Sequence, residues 1–241
     1  MGLFDLPGPV FALIDQAMGL VLPPLGRLVV WGLLAGVGSM LLYRLLSPQR
    51  KIAAAKAAAA EARRRLNAHD GDFAGARPLL AAQLRTAFRH LGLVLGPSVL
   101  SSLPALCLLV WLDHTYSYAF PGPGERPPVQ VQPEASFEAQ LRSDGGVTRV
   151  QIRARADGEP LADLPLDAPV PLLEKWSWLN LLFGNPAGYL PDSVPVERVS
   201  ITLPERSYLA VGPEWARGWL ALFLPVLIVT SIAMYRIARI A

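Results

Sequence analysis

Three long apolar runs decide what this chain can fold into. "LVVWGLLAGVGSMLLYRLL" occupies residues 28–46, "LGLVLGPSVLSSLPALCLLVWL" residues 91–112, and "WARGWLALFLPVLIVTSIAMY" residues 215–235. As helices rising about 1.5 Å per residue they measure about 28 to 33 Å, the thickness of a hydrocarbon core of about 30 Å. Each is therefore expected to span a bilayer. A hydrophobic fraction of 52% with only 17% charged residues is too apolar for an ordinary soluble domain of this length and agrees with that reading. Trp31, Tyr43, Trp111, Trp215, Trp219 and Tyr235 stand near the ends of the runs, where amphipathic rings favour the headgroup level.

Residues 1–27 are expected to lie outside without spanning. They lack a basic leader region and a small-residue cleavage site, and Asp5, Pro7, Pro9 and Asp15 interrupt them. Pro9 suits the first turn of a helix and Pro23-Pro24 stops one, so residues 10–22 are expected to form a short helix in the membrane interface. Sidedness follows from the basic residues. Residues 44–90 hold ten Lys+Arg against three Asp+Glu, a net of +7, whereas residues 114–214 hold eight against thirteen, a net of −5. The positive-inside rule places the first loop in the cytoplasm, the second outside, and Arg236 and Arg239 inside at the C-terminal end. The expected location is a bacterial inner membrane, crossed three times. Topology accounts for the basic pI near 9.2, and no nucleic-acid partner is expected.

The cytoplasmic loop, residues 47–90, reads as two helices. After Pro48, Ile52, Ala55, Ala59, Ala62, Leu66 and Phe73 recur at spacings near three and four, a coiled-coil-like seam that His69 interrupts. Beyond the turn-rich "NAHDGDFAGARP", Leu80, Leu84, Phe88 and Leu91 mark a second amphipathic face that runs into the next span. An antiparallel hairpin is expected.

This order of parts resembles the YidC/Oxa/Alb superfamily of membrane protein insertases, in particular its compact three-span branch of archaeal YidC-like proteins and the insertase subunit of the ER membrane protein complex. The resemblance lies in a first span ending "LLYRLLSPQRK", the charged helical hairpin, and a second span containing "LGPSVLSSLP"; it covers residues 1–112 and 215–241. It implies an insertase or intramembrane chaperone whose three spans form a groove for hydrophobic client segments. Bacterial members carry a positive charge within the groove. Here Arg27, Arg44 and Arg217 all lie near span ends, so polar assistance would come from hydroxyls.

Candidate groove residues are Ser98, Ser101 and Ser102, flanked by Pro97 and Pro104, with Ser39, Thr230 and Ser231 able to face them. The same residues equally suit close helix packing. Gly32 and Gly36 form a small-x-x-x-small pair, for contact within the chain or with another subunit.

Residues 113–214 change character. Phe137, Ala139 and Leu141 alternate, "DGG" makes a turn, and Val150 and Ile152 alternate with arginines, a β-hairpin; Val199, Ile201 and Leu203 mark a later strand. A small sandwich-like or barrel-like β domain is expected. Within it, "EKWSWLNLLFGNPAGYLP" gathers Trp176, Trp178 and Phe183, either as core or as a contact for lipid or a partner.

The fold class expected is thus an α-helical membrane protein with three spans, a cytoplasmic hairpin and an inserted, mainly-β extracytoplasmic domain. No hydrolase, metalloprotease, nucleotide or dinucleotide motif is present, His69, His90 and His114 fall in separate segments, and Cys107 is the single cysteine. No enzyme, metal or cofactor is expected. The expected partners are membrane lipids and hydrophobic client proteins; the alternative is a non-catalytic accessory subunit that binds another membrane complex through its outer domain.

Overall fold

The computed structural model describes residues 2–122, 124–125, 127–144, 147–156 and 158–240. Helices are α1 (Gly8–Gly19), α2 (Pro24–Leu46), α3 (Gln49–Asn67), α4 (Phe73–Tyr116) and α5 (Trp219–Ile237). The strands are β1 (Val129–Gln132), β2 (Phe137–Asp144), β3 (Val147–Ala154), β4 (Pro160–Leu166), β5 (Leu172–Glu174) and β6 (Arg198–Ile201). Among the described residues, α2, α4 and α5 are long and apolar enough to cross a membrane. The three expected apolar helices and the small β part are both present.

α4 joins two stretches that the sequence divides at residue 91. Its 44 residues run unbroken through Pro78, Pro97 and Pro104, which at 1.5 Å per residue gives about 66 Å. That is about twice the thickness of a hydrocarbon core, so one helix contains both an apolar span and a long arm.

Contacts divide the chain into two compact units, one of residues 1–28 and 106–222, the other of residues 29–105 and 223–241. In the second unit, α2 meets α5 along its glycines. A Cβ at Gly32 would stand 2.9 Å from the Val226 Cβ, and one at Gly36 would stand 2.8 Å from the Thr230 Cβ. Only hydrogen fits there, so the small-residue pair serves contact within the chain.

In the same unit, α3 buries Ile52 and Ala55 and half-buries Ala59, Ala62 and Leu66, which is its expected seam. Phe73 does not extend that seam: it opens α4 and is exposed. Nor does α4 turn its expected stripe inward. Leu80, Leu84, Phe88 and Leu91 are exposed, while Leu79, Gln83, Thr86 and His90 are the sheltered positions. A cavity of about 320 Å³ is lined by Ala58, Glu61, Ala62 and Arg65 of α3 and by Leu79, Ala82 and Thr86 of α4. The amphipathic period of the arm is as read from sequence, but its phase is rotated by about one residue.

In the first unit, β1, β6 and β5 form one antiparallel sheet, in that order, and β2, β3 and β4 a second. In the predicted hairpin Ala139 pairs with Ile152 and Leu141 with Val150. Asp144 pairs with Val147, so the connection is Gly145-Gly146, which lies outside the described residues. Alternation turns Thr148, Val150 and Ile152 inward. Val150 and Ile152 share one apolar cluster with Val131, Leu166, Leu173, Val199 and Ile201, so the faces of both sheets close on a common core. Pro165 is tolerated because β4 is an edge strand.

Two span-end tryptophans do not point outward. Trp31 and Trp219 are buried, and the Trp219 Nε1–H donates to the Ser117 Oγ at 2.9 Å. Trp215 and Tyr235 remain exposed for an interfacial belt.

Candidate functional site

The hydroxyls of the second span lie on one stretch of α4, and those of Ser101 and Ser102 already donate their hydrogens. Ser101 donates to the Ser98 carbonyl at 3.0 Å, and Ser102 to the Val99 carbonyl at 2.9 Å. In hydrocarbon a free O–H is costly, and the backbone three residues back is the nearest acceptor. These serines thus offer acceptor lone pairs to a neighbour more readily than donors. Ser101 is buried, and Ser98 and Ser102 are half-buried. On α5, Thr230 is packed at Gly36 and Ser231 is half-buried, as is Ser39 on α2. Among the described residues no hydrogen bond joins Ser98, Ser101 or Ser102 to Ser39, Thr230 or Ser231.

The outward face of α4 carries a longer feature. Leu80, Leu84, Phe88, Leu91, Leu95 and Val99 are all exposed, and their spacing of four, four, three, four and four places them along one side of the helix. Exposure from Leu95 onward is ordinary for a lipid-facing span. Exposure of Leu80, Leu84 and Phe88 is different, because this arm also carries Arg77, Arg85 and Arg89, which belong in water. The result is a continuous apolar track on one helix, from a charged arm to the serine-bearing span. Its residues are visible in the sequence; only the phase of α4 shows that they stay uncovered.

In the other unit, the tryptophan-rich segment is on the surface. Trp178 is 68% exposed, and Trp176, Leu181 and Phe183 are also exposed, so they are not the β core. The Ser177 N–H donates to the Asn180 Oδ1 at 2.6 Å and starts a short 3₁₀ turn over Trp178–Leu181. The turn is held on the N-terminal residues. Phe4 N–H donates to the Leu182 carbonyl at 3.0 Å, Gly184 N–H to the Asp5 Oδ2 at 2.7 Å, and the Phe4 and Phe183 rings stack at 5.1 Å. The approach is so close that a Cβ at Gly2 would lie 2.5 Å from the Leu182 carbonyl oxygen.

Asp15 anchors a polar node in that unit. Its Oδ2 accepts from Arg27 Nη1 at 2.5 Å and its Oδ1 from the Tyr116 hydroxyl at 2.5 Å; the Arg27 guanidinium lies over the Tyr116 ring, 5.7 Å from its centroid. Tyr208 donates to the Tyr116 carbonyl at 2.9 Å. Burial pushes the Tyr208 hydroxyl above its ordinary value of 10.0, and the nearby Arg206 guanidinium opposes the shift. A cavity of about 560 Å³ adjoins the node, lined by Arg27, Arg206, Ser207 and Tyr208 among others. Nothing in the sequence pairs Asp15 with groups 12 and 101 residues away. A buried carboxylate in an apolar helix, though, requires such partners.

Chemically the two regions offer surfaces: an apolar track with backbone-bonded hydroxyls on α4, and an exposed aromatic turn on the β unit. Among the described residues no group of three or more His, Cys, Asp or Glu side chains is gathered to hold a metal ion. No family model, curated protein or solved structure matches this chain.

Proposed function

We propose that the chain is a membrane protein insertase or intramembrane chaperone, similar in its order of parts to the compact YidC-like branch. In this reading α3 and the arm of α4 form a cytoplasmic hairpin, the N-terminal helix and β domain lie outside, and the C-terminal tail is cytoplasmic. A hydrophobic client segment meets Phe88 and Leu84 in water and follows the track past Leu91 and Leu95 towards Ser98, Ser101 and Ser102. The observation that carries the proposal is the uncovered apolar stripe on the charged arm. Lipid explains exposed leucines within a span, but it does not explain exposed leucine and phenylalanine beside three arginines. No covalent step is needed, because the barrier to entry is the desolvation of a client's polar backbone, several kcal/mol per unpaired group.

The test is photocrosslinking during synthesis of a single-span client, from probes at Phe88 and Ser101. Crosslinks that pass from Phe88 to Ser101 as the client lengthens support insertion. A second reading, an accessory subunit with a closed bundle, draws on the glycine-sealed contact of α2 with α5 and on serines bonded to their own helix. Crosslinks from both probes to one stable partner, whatever the client, favour it and end the first.

A further inference from the structure

We propose that the 3₁₀ turn Trp178–Leu181, with Trp176 and Phe183, seats in the lipid interface of the bilayer, on the face that α2 enters at Pro24. This inference rests on α2 crossing a bilayer and is independent of any insertase activity.

Connectivity supplies the occupant. α1 ends at Gly19 and α2 begins at Pro24, so the chain between them spans less than about 18 Å. The end of α1 is therefore confined near the membrane surface, and it leaves Leu13, Leu20 and Val21 exposed. Just before α1, residues 2–5 grip the tryptophan segment through two backbone donors and the Phe4–Phe183 stack. Leu3 and Leu6, on either side of that grip, are exposed as well. α1 does not lead away from that surface, because Phe11 packs on Trp111 in the apolar run of α4 with ring centroids 5.9 Å apart, so a segment fastened at its start is held to the same surface. Its chemistry agrees, since residues 176–191 contain no charged side chain, and neither do residues 6–14. Leucine and phenylalanine enter the acyl boundary, and tryptophan rests at headgroup level with its indole N–H in reach of water and ester oxygens. A depth of about 5–10 Å is expected for such a face. The β domain is then held flat against the membrane at a second point, beyond the span ends that lead into it.

The experiment uses the full chain reconstituted in phosphatidylcholine vesicles, with Trp178 as its one tryptophan and phenylalanine at the other five positions. Lipids brominated high on the acyl chain should quench Trp178 strongly, and aqueous iodide should quench it weakly. Strong iodide quenching without bromine quenching overturns the proposal. So does protection from both, which would mean that a second copy covers the turn. If the phenylalanine replacements unfold the chain, a nitroxide on Leu181→Cys in a Cys107→Ser background reads the same property. Collision with oxygen should exceed collision with a water-soluble nickel complex, and the reverse order overturns the inference.

Discussion

Asp15 is where a single residue contributes most. It is 6% exposed, and both carboxylate oxygens are engaged, by Arg27 and by Tyr116. Removing one member of a buried pair strands the other, so Asp15→Ala should cost roughly 3–5 kcal/mol. Tyr116→Phe should cost less, about 1.5–3 kcal/mol, because one donor to a charged acceptor is lost. Unfolding in detergent, followed by tryptophan emission, gives both values; equal effects for the two variants would refute this ranking. Asp15 was legible only as an interruption of an apolar run, since its partners come from distant parts of the chain. Tyr208 adds a pH dependence. Burial raises its hydroxyl above 10.0, so the folded state favours the protonated form. The stability it contributes is complete below about pH 10 and is lost as pH rises through the elevated value. Burial raises Tyr118 similarly, with Glu205 and Asp113 adding to the shift. The melting temperature should fall on the alkaline side, and Tyr208→Phe should remove part of that fall.

Among the elements, α4 separates what periodicity fixes from what packing fixes. Three- and four-residue recurrence identified the arm as an amphipathic helix, but the large side chains were not the ones turned inward. Alanine on α3 leaves a shallow seam, and Leu79 and the small Ala82 and Thr86 line the cavity beside it, whereas Leu84 and Phe88 stay exposed. Accordingly Phe88→Ser should change stability by no more than about 0.5 kcal/mol, as for an exposed site, whereas Leu79→Ser should destabilise clearly. Thermal unfolding of the two variants decides the phase, and a larger loss from Phe88→Ser would reverse it. The α2 and α5 contact is sharper still. Gly36→Ala puts a methyl 2.8 Å from the Thr230 Cβ and 3.1 Å from the Leu227 carbonyl oxygen, so overpacking of about 1–3 kcal/mol is expected. Thr230→Gly should recover only part of it, because the carbonyl remains. The glycine spacing was visible in sequence, but its partner was not, since any helix with small or β-branched residues could have filled that role.

At the scale of the whole molecule, charge and chain order together make a sidedness prediction. Ten basic residues lie within residues 44–90, close to two span ends, and eight are spread over residues 114–214. Basic side chains near span ends are the ones that resist translocation, so the arms of α3 and α4 should stay in the cytoplasm and the β domain should cross. In a Cys107→Ser background, Ala60→Cys on α3 and Ser207→Cys beyond β6 report the two sides; both positions are exposed. An impermeant maleimide should label Ser207→Cys in intact spheroplasts and Ala60→Cys only in inverted vesicles. The opposite pattern would move the arm and its apolar track to the wrong compartment for a client leaving the ribosome, and the insertase reading would fall with it. Changing Arg63, Arg64 and Arg65 to Glu takes the loop from +7 to +1 and should produce a mixed population if basic residues set the topology. An unmixed population would mean that the bulky β domain, rather than charge, dictates which side each end of α4 reaches.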